Sequence, residues 1–479
     1  MHFSIPETEE LGDSKAKAYT GYSLHINGVY HCLVRYRQLH SLHEQLKREF
    51  HANTLPVFPP KKLFNLTEKE VEDRRLSLEK YMQVISQDPR ISNSQTFNTF
   101  LLAAQRETRR ERTENISLDV FLMNEHKVTV SLTTTEQTDV VLDQVCAQLN
   151  VPEDFVSCFS LFLIRRDEDG DITVLRKLQE FESPYISQKA LTSVSPDNQS
   201  GIKIVLRKSS WDSSVDDGLL AEQTTMNLLY IQTVADIERE WIVTSAETKQ
   251  QLALMQARGS KRQFMEVART LKFYGFLVFR PCIADHPEPH TRVTIAIGRS
   301  ALNMRIHSPG GEVKENSFKI TRMRCWRIMR GESSSSSGNQ VGLLQTEGSQ
   351  LELSFEYLVT PDTLEWVTVV SHQAILMSMC LQSMVEELVR IRTGEKDPSR
   401  ITRCSFKKGK PRSQLDQSPE ADDGCGGPVD YTVRKLAERF SVVNMKSTSK
   451  AAEEVFVENE VFNCSAEGEE MLEGNNENE

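Results

Sequence analysis

Residues 34–39 read "VRYRQL", and across those six positions an alternating strand gives way to helical spacing, with Arg35 and Arg37 on either side of Tyr36. Charges at such a junction must be met by water or by an anion. Upstream, "YSLHINGVYHCLVRY" (22–36) alternates apolar and polar residues on both sides of Asn27-Gly28. That dipeptide favours a type I′ turn, so the stretch predicts a β-hairpin. Downstream, Leu39, Leu42, Leu46 and Phe50 recur at steps of three and four, which predicts an amphipathic helix packed on the hairpin. In "LPVFPPKKLF" (55–64) the pair Pro59-Pro60 can continue neither element. It predicts an extended, polyproline-like loop that presents Lys61 and Lys62.

Thr67 and Glu70 have capping-box spacing and open a further helix, with Val71, Leu78, Met82 and Ile85 on one face. Arg74 lies three residues after Val71 and four before Leu78, so it borders the core and needs an anionic partner. Arg75 is free to point to water. An Arg-Tyr pair ending a strand, a Pro-Pro-Lys loop and an arginine on the next helix together resemble the phox-homology (PX) domain of the sorting nexins.

That resemblance implies a pocket for phosphatidylinositol 3-phosphate. Arg35 would grip the 3-phosphate, Tyr36 stack under the inositol ring, Lys61 meet the 1-phosphate and Arg74 bind ring hydroxyls. Arg37 stands where the family often has a small hydroxyl residue, and a long cation there would either add attraction to the lipid or crowd the pocket. The chemistry suits the roles: a guanidinium fork matches phosphate oxygens, a lysine acts as a point charge, and an aromatic face covers the C–H side of a sugar. Two or three charge-assisted hydrogen bonds of about 1.5–3 kcal/mol each give modest affinity for one lipid. Residence on a membrane therefore calls for a second contact.

After a helix around "TFNTFLLAAQ" (96–105), the charged "RETRRERTEN" (106–115) lacks apolar periodicity and reads as a linker. The pattern then resets: a hairpin in "SLDVFLMNEHKVTVSL" (117–132), a helix through Val141, Val145 and Leu149, and a strand in "CFSLFLI" (158–164). Strand, strand, helix, strand is the order of a ubiquitin-like fold. "RRDEDGDITVL" (165–175) is a polar hairpin turn, because calcium-loop spacing from Asp167 would require glycine where Ile172 stands. Between 218 and 273, "NLLYIQTVADIEREWIV" and "FMEVARTLKFYGF" predict a helical lobe. Strands return from 276, with Val293, Ile295, Ile297, Leu302, Met304 and Ile306 alternating, and continue in "SFKITRMRCW", "LELSFEYLV" and "LEWVTVV" around the low-complexity "GESSSSSGNQ" (331–340). A helix through Met377, Leu381, Val385 and Leu388 closes this unit, as in pleckstrin and phosphotyrosine-binding (PH/PTB) folds.

Ubiquitin-like, helical and PTB-like lobes in that order resemble an atypical FERM module, so the chain is similar to the sorting nexins that join a PX domain to one. The expected fold class is multidomain α+β. Its limits are a PX domain over 1–108, a linker over 109–114, FERM lobes F1 over 115–208, F2 over 209–273 and F3 over 274–392, and a mostly disordered tail over 393–479. The resemblance implies an endosomal cargo adaptor, peripheral on early endosome membranes, that binds Asn-Pro-x-Tyr or Asn-x-x-Tyr motifs (NPxY, NxxY) in the cytoplasmic tails of transmembrane receptors. The peptide would add a strand to a sheet edge and place its aromatic beside the closing helix. Strict alternation in "TRMRCWRIM" (321–329) sets Trp326 on the face of Arg322 and Arg324, away from Met323 and Cys325. The resemblance assigns Trp326 to the cargo groove, with Leu358 and Val385 beside it.

Composition limits the other readings. Fifty-seven Lys and Arg against 68 Asp and Glu give a net charge of −11, which argues against a generic nucleic-acid binder. No basic-then-apolar opening and no membrane-spanning apolar run occur, so a soluble, cytosolic protein is expected. Nine scattered cysteines without a Cys-x-x-Cys pair read as reduced thiols. His286 and His290 are separated by proline and make a loop pair, not a metal site. No catalytic motif and no cofactor are expected. The other reading is a FERM-type cytoskeletal or small-GTPase scaffold with a degenerate lipid pocket. In the tail, a basic stretch (390–412) gives way to an acidic one containing Phe456 and Phe462. The family's tail usually ends in a leucine that engages the retriever recycling complex, whereas this chain ends Asn-Glu.

Overall fold

The computed structural model describes residues 1–12, 19–50, 55–62, 66–167, 170–194, 201–307, 312–330, 351–360 and 362–393. The first hairpin pairs β3 (Tyr19–Ile26) with β4 (Val29–Arg35), and both turn residues, Asn27 and Gly28, have the positive φ of a type I′ turn. Gly21 lies opposite Arg35 in this ladder, where a Cβ would come within 2.9 Å of the Leu33 side chain. Two short strands precede it, β1 (Phe3–Ser4) and β2 (Thr8–Leu11), and both pair with the edge of β3 opposite β4. No expectation covered them, because two to four residues are too few for alternation to register.

Helices α1 (Tyr36–Phe50), α2 (Glu68–Gln87), α3 (Pro89–Ser92) and α4 (Gln95–Arg109) complete the first unit. Leu39, Leu42 and Leu46 of α1 and Leu78, Met82 and Ile85 of α2 are buried with Leu24, Cys32 and Val34 of the sheet. Each such side chain contributes roughly 1.5–3 kcal/mol. The box that opens α2 is reciprocal: Thr67 accepts from the Glu70 N–H and Glu70 from the Thr67 N–H.

The second unit comprises β5 (Asn115–Phe121), β6 (Lys127–Thr133), α5 (Thr138–Gln148), β7 (Phe159–Arg166), β8 (Ile172–Lys177), α6 (Pro184–Val194) and β9 (Ile202–Lys208). Its sheet order is β6-β5-β9-β7-β8 with β5 and β9 parallel, a ubiquitin-like arrangement. Strand β7 explains the unbroken apolar run of its sequence. Leu161 and Leu163 enter a core shared with the helical unit, while Phe162 and Ile164 enter the core of the last unit, so both faces of the strand are dry.

The helical unit contains α7 (Val215–Ala221), α8 (Gln223–Glu238), α9 (Ala246–Ala257) and α10 (Lys261–Ala268). A buried pair of bonds from Arg207 to Asp236, at 3.1 and 3.0 Å, ties β9 to α8. The last unit is antiparallel throughout: β10 (Leu277–Val278), β11 (Cys282–Ala284), β12 (Thr291–Gly298), β13 (Ala301–His307), β14 (Val313–Lys319), β15 (Met323–Arg330), β16 (Leu351–Thr360) and β17 (Thr363–Val370), closed by α11 (Ala374–Thr393). The order β14-β13-β12-β11-β17-β16-β15 leaves β15 as a sheet edge among the described residues.

The first two units share an interface. Gln105 of α4 donates to the Ser187 hydroxyl and accepts from the Ser183 N–H, both at 2.9 Å. The Phe181 ring, buried in the first unit's core, meets His31 edge-on at 5.4 Å. The expected tail, with Phe456 and Phe462, lies outside the described residues.

Candidate functional site

Tyr36 begins α1 exactly one residue after β4 ends, so the strand-to-helix junction fixes its direction. Its hydroxyl donates to the Pro59 carbonyl at 2.7 Å, and its ring centroid lies 5.6 Å from that of Phe58. Phe58 is also held by His40, His43 and Tyr81, which anchors the proline loop through an aromatic cluster. Val57, next to that anchor, is 93% exposed.

Arg74 of α2 reaches the same place. Its guanidinium carbon stands 4.5 Å from the Tyr36 ring centroid. Its Nη2 and the hydroxyl of Tyr22 are both buried and interact with each other, but neither makes a well-formed hydrogen bond among the described residues. Burial raises the phenols of Tyr22 and Tyr36 above their ordinary pKa, against the opposing pull of Arg74, so both stay protonated donors at neutral pH.

Arg35 ends β4 with its backbone N–H held by Gln38 at 2.7 Å, and its guanidinium carbon lies 3.2 Å from the centroid of the Tyr19 ring. Lys61 is exposed at the end of the proline loop. Its neighbour Lys62 is neutralised by Glu70 at 2.5 Å, which leaves Lys61 as the unpaired cation of the two among the described residues. The structure thus joins Tyr36, Arg74 and the loop leading to Lys61, with Arg35 adjacent in the chain. Arg37 is exposed on the first turn of α1 and has no ion pair among the described residues.

Arg75 departs from expectation. It is not in water: its guanidinium donates to both oxygens of Glu72, at 2.8 and 2.6 Å, and to the Ile5 carbonyl. The reason is the unforeseen β1 segment, whose Ile5 N–H also donates to Glu79 of α2. Tyr19, Tyr22 and Phe58 were missed as well. Only Phe58 left a trace in the sequence, as the aromatic directly before a proline pair.

At the other end of the chain, Trp326 requires a correction. It is only 1% exposed and belongs to the core, not to the face of Arg322 and Arg324. Residues 320–322 form a 3-10 turn, and the β15–β16 register shifts between Met323 and Cys325. That bulge breaks the alternation, so Met323, Trp326 and Ile328 all face inward. The indole N–H donates to the Ser378 hydroxyl of α11 at 3.0 Å, stitching the edge strand to the closing helix.

Val385 lies in the same core, two turns along α11, while Leu358 is half-buried near the end of β16, opposite Leu364. Outside, Arg324 pairs with Glu356 and Arg327 covers the Trp366 ring at 4.5 Å. An edge strand beside a helix, with outward backbone groups that pair with no strand among the described residues, is a geometry that accepts an added strand.

Family models match nearly all of the described chain: the PX domain over 22–104, the F1 FERM lobe of sorting nexins 17, 27 and 31 over 116–211, the F2 FERM lobe of sorting nexins 17 and 31 over 212–272, and the sorting nexin 17 FERM C-terminal domain over 275–389. Sorting nexin-17 of Bos taurus is 51% identical over 395 residues, covering 82% of this chain and 83% of that one. The chain belongs to the sorting nexin-17 family. Sorting nexin-17 of Homo sapiens is 50% identical over 400 residues, with the same coverage. That of Danio rerio is 43% identical over 454 residues, covering 94% of this chain and 95% of its own.

Membership makes the protein an endosomal sorting nexin, in a family of adaptors and not of catalysts, with a PX domain followed by FERM lobes. No helix among the described residues is long and apolar enough to cross a membrane.

Proposed function

We propose that this protein is an endosomal cargo adaptor that binds phosphatidylinositol 3-phosphate with Arg35, Tyr36, Arg37, Lys61 and Arg74, and NPxY or NxxY receptor tails along β15. The observation that carries the lipid half is Arg74, a cation over the face of Tyr36 whose buried Nη2 makes no well-formed hydrogen bond among the described residues. A buried guanidinium donor is costly until an oxygen acceptor meets it, and a phosphoinositide head group supplies both oxygens and a ring for Tyr36 to cover. Lys61 and the exposed Val57 lie on the same loop, which suits an approach to a membrane surface.

The cargo half is supported by the free edge of β15 beside α11. Leu358 and Val385 would border the peptide, and Trp326 would act from beneath by fixing β15 to α11 through Ser378. An adaptor held by lipid at one end and by a receptor tail at the other would return receptors to the cell surface and spare them from degradation.

Pelleting with vesicles that contain phosphatidylinositol 3-phosphate tests the lipid half. Native protein should sediment and Arg35→Ala should stay in solution, with both remaining soluble on vesicles of phosphatidylcholine alone. Equal sedimentation of the two proteins on the phosphoinositide vesicles would remove the lipid pocket from the account.

A further inference from the structure

A cavity of about 140 Å³ opens where the four units meet, walled by β8, the segment after β9, the start of the last unit and α11. For scale, an apolar cavity of about 150 Å³ accepts benzene. One wall is apolar, with Phe162, Phe276, Leu376 and Met379. Cys380 belongs to it too, since burial pushes its thiol up to about 12 and keeps it neutral. The opposite wall is polar and cationic, but most of its charge is already satisfied. Arg207 is bound to Asp236, and Lys208 to Asp216 at 2.5 Å.

Two groups remain. Lys177 has no acidic partner among the described residues, and its charge acts on the Cys380 thiol. The Ser210 hydroxyl is buried without a hydrogen-bond partner among the described residues. The rim carboxylate of Glu386 is occupied by Gln382 at 3.0 Å.

We propose that this cavity binds a small anionic amphiphile, a carboxylate bearing a ring or a short acyl chain. The chain would lie against Phe276, Leu376 and Met379, and the carboxylate would take the Lys177 ammonium and the Ser210 hydroxyl. The site is separate from both the lipid pocket and the β15 edge.

Benzoate titrated into the full chain by calorimetry tests this, with benzyl alcohol as the uncharged control. One saturable site is expected, with benzyl alcohol at least tenfold weaker. Lys177→Gln should weaken benzoate about tenfold and leave benzyl alcohol unchanged, and Met379→Trp, which fills the apolar end, should abolish both. Should Met379→Trp fail to fold, Lys177→Gln still decides. No saturable benzoate binding, or equal affinity in the native protein and Lys177→Gln, overturns the proposal.

Discussion

Arg74 and Tyr36 meet face to cation, 4.5 Å apart, on helices that begin 32 residues apart in the chain: α1 at Tyr36 and α2 at Glu68. One half of that contact is satisfied by the Pro59 carbonyl, while Arg74 keeps a buried Nη2 with no well-formed hydrogen bond among the described residues. Such a donor costs about 1–3 kcal/mol in the empty protein. Arg74→Met should therefore leave thermal stability unchanged or raise it by a few degrees, while lowering affinity for phosphatidylinositol 3-phosphate vesicles tenfold or more. Differential scanning calorimetry beside vesicle pelleting checks both. A large loss of stability would make Arg74 a structural residue.

The next residue predicts the reverse. Arg75 is bonded to Glu72 and to the Ile5 carbonyl, so it holds the N-terminal segment on α2. Arg75→Ala should cost about 1–2 kcal/mol, since Glu72 is itself well exposed. Vesicle affinity should be retained at temperatures well below unfolding. Urea denaturation of the two single variants separates adjacent arginines with opposite roles.

Trp326→Ala should destabilise the last unit by about 3–5 kcal/mol, because it empties a core site and strands the Ser378 hydroxyl. Leu358→Ala, at a half-buried position, should cost less than about 1.5 kcal/mol and still weaken an NPxY peptide. Peptide titration of both variants, each checked for melting temperature, distinguishes the two routes. If Trp326→Ala lost peptide binding without any loss of stability, the indole would have to reach the surface.

How far the sequence was readable follows from these positions. The β3–β4 turn, the α1 and α2 faces and the placing of Arg74 at a core border were legible, because turn chemistry and a 3.6-residue period are local signals. Trp326 was misread because one bulge inverts every later position on a strand, and nothing in "TRMRCWRIM" marks it. Arg75 was misread because its partner, Ile5, is 70 residues away and directly follows a strand of two residues. Phe58, which anchors the proline loop, works through four aromatic neighbours brought together only by folding.

The interface between the first two units predicts a response to acid. His31 is buried, its Nε2–H donating to the Leu101 carbonyl at 2.9 Å and its ring meeting Phe181. Burial lowers its pKa from 6.5, with Arg176 and Arg109 acting in the same direction and Glu182 against them. The unfolded chain therefore takes up a proton near pH 6.5 while the folded one resists. Stability is complete above that pH and declines as pH falls toward the depressed folded value, by at most about 1.4 kcal/mol per pH unit. His31→Gln, which carries no titrating ring, should reduce the fall in melting temperature between pH 7 and 5.5 without abolishing it, because burial also lowers the pKa of His2 and His43. Thermal melts of both proteins across that range check it, and parallel curves would assign the acid sensitivity to another group.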